Sequence, residues 1–171
     1  MKIAQHFGLV YCMLAIAQII IGNCFYFSSY VSLSILPVMI LCIPLNISTP
    51  VAMVIAFATG LATDFLSEGL LGLNALAAVP VALIRTQVIR LVFGEELIER
   101  QESFSFRKFG AIKISLAILI VQTVFLAVYI LADGAGTRPL WFNAARFAAS
   151  LAAGYVLSMV VAGVMTPDEN R

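Results

Sequence analysis

Charge is scarce in this sequence. Only 11% of its 171 residues are Asp, Glu, Lys or Arg, where a water-soluble domain carries about 25%. Hydrophobic residues make up 62% and the mean hydropathy is +1.04, which excludes a chain whose whole surface faces water. The 10 basic and 9 acidic residues nearly cancel, so there is no field to hold nucleic acid. The single histidine, His6, precedes the first apolar run, and no second one is there to complete a zinc site or a general-base pair. It reads as an interfacial residue. Cys12, Cys24 and Cys42 are odd in number, lie in apolar runs and lack metal-type spacing. They read as small buried hydrophobes. A glycine-rich phosphate loop is missing. So are the Ser-His or Ser-Lys pair and the facing aspartates that an intramembrane hydrolase needs. These absences argue against an enzyme, and no metal or cofactor is expected.

What the chain does have is long apolar runs. Lipid is the solvent that suits them, and the length suits one compact bundle. A span needs about 20 apolar residues. Six segments qualify as candidates: Phe7–Phe27, Val31–Leu45, Pro50–Leu66, Leu70–Phe93, Ala111–Leu131 and Trp141–Met165. The first is too long for a signal-peptide core, and its only A-x-A pattern, Ala15-Ile16-Ala17, lies inside the run, so a retained helix is expected. The second and third are short, with Pro37, Pro44 and Pro50 in or beside them. Proline removes a backbone donor and bends a helix. Two readings stay open there: two full spans, or a broken hairpin that does not fully cross. The expected fold is an all-α polytopic membrane protein, a bundle of six transmembrane helices in one domain, 1–171.

Lys and Arg in short loops set orientation. With the N-terminus inside, Lys2, Arg90, Arg100, Arg107, Lys108, Lys113 and Arg171 fall on the cytoplasmic side, and Arg138 and Arg146 on the outer side. Both termini are therefore expected in the cytoplasm. The connection Gly94–Gly110, "GEELIERQESFSFRKFG", is the one long charged loop. Glu96 and Arg100 are spaced for a short surface helix, and Phe104, Phe106 and Phe109 beside Arg107 and Lys108 suit the headgroup layer. The tail "TPDENR" reads as frayed.

That topology gathers Asp64, Asn74, Tyr129, Asn143 and Arg146 in the outer leaflet. Ionisable groups at membrane depth are costly, so they face the bundle interior and pair. Asp64, the one acid inside an apolar run so bounded, is expected to pair with Arg146. The other outcome is that Asp64 bonds to Asn74 across the turn or caps the start of the fourth helix. Ala52, Ala56, Gly60 and Asp64 recur every four residues, and small residues let helix backbones approach closely. Ala145, Ala149 and Ala153, with Ser150 and Gly154 beside them, make a similar face, and packing the two faces together would carry Asp64 towards Arg146. Arg85, with Gln87 and Arg90 below it, is expected to snorkel to the headgroups.

Gly60, Asp64 four residues on, a short turn, and the pair Leu71-Gly72 opening the next helix together resemble the rod shape-determining protein MreD family. Length, six-segment profile, proline-rich second segment and the charged connection after the fourth are also similar. The likeness covers most of the chain, and its specific part is Gly60–Arg85. It implies a non-enzymatic inner-membrane scaffold of the cell-elongation machinery. The implied direct partner is MreC, with RodA, a class B penicillin-binding protein and MreB reached through the complex. It also implies a fold similar to the substrate-binding S components of energy-coupling factor transporters. The alternative is therefore a capture subunit for a small molecule. In either case Asp64 and Asn74 would shape an outer groove, for a partner helix or for a ligand.

Overall fold

A computed structural model describes residues 2–25, 32–68, 71–94, 110–134 and 139–165. All regular structure among them is helical: α1 Lys2–Phe25, α2 Leu36–Leu41, α3 Thr49–Thr63, α4 Leu73–Phe93, α5 Ala111–Gly134 and α6 Leu140–Met165. A π-helical turn, Asp64–Glu68, continues α3. The connection 95–109, the tail 166–171, Arg138 and the side chains of His6 and Cys24 lie outside the described residues.

Among the described residues four helices are long and apolar enough to cross a membrane: α3 with its π-turn, α4, α5 and α6. In α1 the apolar helical stretch is Phe7–Asn23. Large apolar side chains cover the outside, among them Val54, Phe57, Phe65, Leu91, Ile112 and Leu131. A surface of this kind is solvated by lipid tails, and the protein is a helical membrane protein.

The second apolar segment departs from expectation. It is not a helix over Val31–Leu45. Residues 32–35 are non-helical, α2 has only 6 residues, and turns occupy 42–48. Six residues rise about 9 Å, far short of the roughly 30 Å of hydrocarbon. Proline explains both limits. Pro37 sits in the first turn of α2, where its missing N–H costs nothing. Pro44 cannot continue the helix, and Pro50 restarts the chain in the first turn of α3.

This broken segment is the centre of the bundle. Ile35, Leu36, Val38, Met39, Ile40, Leu41 and Ile43 are all buried, and α2 packs against α1, α3, α4, α5 and α6. Non-helical backbone is tolerated at membrane depth only where protein satisfies its polar groups, and the surrounding helices do so. The Ser32 amide donates to Ser150 Oγ at 2.9 Å, and the Ile35 amide to Gln18 Oε1 at 2.7 Å. Gln18 Nε2 and Gln122 Nε2 donate to the carbonyls of Leu33 and Ser34, each at 3.4 Å. The Leu36 amide reaches Ser34 Oγ at 3.3 Å. Ser158 Oγ donates to Gln122 Oε1 at 3.3 Å, completing the chain of bonds.

Candidate functional site

The α3–α4 junction is built around Asp64, which is fully buried. Its Oδ1 accepts the Asn74 amide at 2.9 Å and Asn74 Nδ2 at 2.9 Å. Its Oδ2 accepts the amides of Gly72 at 3.0 Å and Ala75 at 3.2 Å. The first amides of a helix have no partner within it, and they carry the positive end of its dipole. Asp64 supplies both the acceptors and the compensating charge from the neighbouring helix. A carboxylate can be buried here without a cation because N–H groups at a helix start stand in for one.

Three local features bring the carboxylate there. Gly60, one turn before Asp64, lies against α4. A Cβ on it would sit 2.6 Å from Ala75 Cα and 2.7 Å from the Ala75 nitrogen. Ala52 and Ala56, also fully buried, continue that small stripe along α3. The π-turn at Asp64 re-aims the chain, and α1 steadies it: Asn23 Nδ2 donates to the Leu66 carbonyl at 3.2 Å. Gly72 has φ +105, a conformation that only glycine adopts without strain. It does not serve helix packing, because a Cβ there would meet nothing within 4 Å. Its role is the turn.

Asp64 does not pair with Arg146. Arg146 forms an ion pair with Asp133, and its guanidinium carbon stands 5.9 Å from the centre of the Tyr129 ring, within cation–π range. Asp133 escaped the sequence reading because α5 runs on to Gly134, beyond the expected end at Leu131. Tyr129 is buried and stacks on Phe125 with ring centres 6.1 Å apart. Asn143 packs against Gly134, where a Cβ would come within 3.2 Å of Asn143 Nδ2. Asn143 Oδ1 and Arg146 Nε are buried and have no hydrogen-bond partner among the described residues. The five residues thus group as Asp64 with Asn74 at one helix junction, and Tyr129, Asn143 and Arg146 at the other.

The expected packing of the α3 stripe on α6 also differs. α3 lies along α4, and Gly60 meets Ala75. On α6, Ala145 and Ala149 are exposed. The buried stripe is one residue over: Arg146, Ser150, Gly154 and Ser158. The polar side chains decide the rotation, since each needs a protein partner that lipid cannot offer. Gly154 makes room for Gln122, whose Nε2 would lie 2.4 Å from a Cβ there.

Arg85 does not snorkel. It is 1% exposed. Its Nη1 donates to the Ile43 carbonyl at 3.1 Å, and its Nη2 to those of Pro44 at 3.5 Å and Ile47 at 3.4 Å. The guanidinium therefore ties the turn after α2 to α4. Cys42 is half-buried in that turn and Cys12 is exposed, so neither is the buried hydrophobe expected, and both are free thiols. Gln18, Gln122 and Ser158 were missed in the sequence. Their signal was present: each is a polar residue inside an apolar run, the criterion that marked Asn74. Compared with known proteins, the chain matches no family model, no curated protein and no solved structure.

Proposed function

We propose that this chain is a non-enzymatic scaffold of the MreD kind. In this reading it sits in the bacterial inner membrane with both termini cytoplasmic. It binds MreC directly and reaches RodA, a class B penicillin-binding protein and MreB through the complex. Its six membrane segments, with 32–48 counted as a broken one, would form a bundle similar to the energy-coupling factor S components.

One observation carries the scaffold reading over capture of a ligand. The polar motif is consumed by architecture. Both oxygens of Asp64 and the Asn74 amide are engaged in holding the α3–α4 junction. A capture site keeps a few polar groups free to orient its ligand. A rigid junction between membrane helices instead suits a body that partners grip. The S-component reading retains one observation of its own: Asn143 Oδ1 and Arg146 Nε at the other junction are buried and have no hydrogen-bond partner among the described residues, as groups awaiting a small molecule would be.

Depletion in a rod-shaped host separates the two. The scaffold reading requires rounded cells with small-molecule uptake intact, and copurification of MreC with the tagged protein. Normal shape with lost uptake of one vitamin transfers the assignment to the S component.

A further inference from the structure

α3 begins beside a buried cation, Arg85. We propose that the two together hold the phosphate of a membrane lipid, at the bilayer face where α3 starts. This inference does not depend on the scaffold reading.

Arg85 is buried without an anion. Among the described residues, Asp133 is taken by Arg146, and Asp64 lies at the other end of α4. The groups that Arg85 reaches are neutral carbonyls. Two of those three bonds, from Nη2 to Pro44 and Ile47, are long at 3.5 and 3.4 Å. Its Nε is buried and has no hydrogen-bond partner among the described residues. An ionised group at membrane depth calls for a counter-charge.

The bond to the Ile47 carbonyl sets the guanidinium beside the residue that precedes Ser48, the N-cap of α3. Thr86, next to Arg85, brings its hydroxyl 3.5 Å from that of Thr49, the first residue of α3. A helix start leaves its first amides unpaired and carries positive partial charge. The Ser48 side chain makes no cap bond, and the first turn of α3 holds no acid. Pro50 has no N–H, so the amides of Thr49 and Val51 are the donors left outside the helix ladder. Two positive features therefore stand together with no anion between them. Phosphate is the group that helix starts bind. Ser48 is exposed and Thr49 and Thr86 are half-buried, so the helix start opens to the surface. Arg85 stands behind it, inside protein, where salt screens its charge little.

Depth selects a lipid phosphate. Gly60 against Ala75 and Thr49 beside Thr86 keep α3 and α4 in one antiparallel register. α3 with its π-turn spans Thr49–Ser67, which is 19 residues. At the rise of an α-helix that is about 28 Å, nearly the whole of the roughly 30 Å of hydrocarbon. The start of α3 therefore lies at a hydrocarbon edge, where headgroup phosphates lie. In the topology given above that is the cytoplasmic leaflet, whose anionic lipids favour basic sites.

The test uses the full chain in detergent, titrated with phosphatidylglycerol and read by native mass spectrometry for retained lipid. The protein should retain phosphatidylglycerol in preference to a galactosyl diacylglycerol with the same chains, which lacks phosphate. Ser48→Asp puts a carboxylate at the helix start. Aspartate is a good N-cap, so the fold is kept, and the new charge should cut retention about tenfold or more by repelling the phosphate. Arg85→Gln should lower retention as well; if that variant fails to fold, Ser48→Asp decides alone. Equal retention of the two lipids, or retention unchanged in Ser48→Asp, overturns the proposal. So does inorganic phosphate that raises Tm where phosphatidylglycerol does not, since the site would then take a free anion.

Discussion

Asp64→Asn removes one charge and changes almost no volume, so it isolates the cap on α4. An asparagine offers one oxygen where aspartate offers two. If its NH2 replaces Oδ2, the amides of Gly72 and Ala75 lose their acceptor; if it replaces Oδ1, the amide and side chain of Asn74 do. Either way two of the four bonds go, and N–H groups face each other in a buried site. Bonds to a charged acceptor are worth about 1.5–3 kcal/mol each. Removing the buried charge gives back part of its desolvation cost and forfeits its attraction to the helix start. A net loss of about 3–4 kcal/mol follows. At about 2–4 °C per kcal/mol this lowers Tm by about 10 °C. The assay is thermal unfolding of the detergent-solubilised protein. Asn74→Ala removes the side-chain bond alone and should cost about 1–2 kcal/mol. Leu71→Ala, at an exposed site, should do nothing. A Tm for Asp64→Asn within about 2 °C of the parent, or a smaller drop than for Asn74→Ala, would refute the cap.

Four more outcomes are expected. A double-mutant cycle of Asp133→Asn with Arg146→Gln should show coupling of about 0.5–3 kcal/mol, while Asp64→Asn with Arg146→Gln should be additive; the reverse result would restore the Asp64–Arg146 pair. Gly60→Ala should cost about 1–3 kcal/mol, because backbone atoms of α4 occupy the space of its Cβ. Gly163→Ala, which meets nothing within 4 Å, should leave Tm unchanged. Arg85→Gln should release the turn after α2 and speed maleimide labelling of Cys42; an unchanged rate would show that the arginine does not hold it. In a cysteine-free background, single cysteines at Ser28, Glu68 and Gly136 should label from outside with an impermeant reagent. Those at Glu102 and Asn170 should stay dark in intact cells, and labelling of Glu102 would reverse the topology.

Composition alone determined the solvent, since 11% charge cannot cover a water-facing surface. Apolar run length determined α4, α5 and α6 to within a few residues, because a helix is the only open-ended way to satisfy backbone in lipid. The prolines marked where the second segment would fail, and the Gly60–Asp64 spacing marked a close helix crossing. Tertiary structure decided the partners. Asp64 found amides instead of Arg146 because a helix start, brought near by Gly60, offers several donors at once. Arg146 found Asp133, a residue that run length had placed outside the helix. Arg85 and Gln122 became the ties of a broken central segment. Periodicity says which residues share a face, but not which helix that face meets. In lipid, where apolar faces gain little by meeting one another, the polar side chains make that choice.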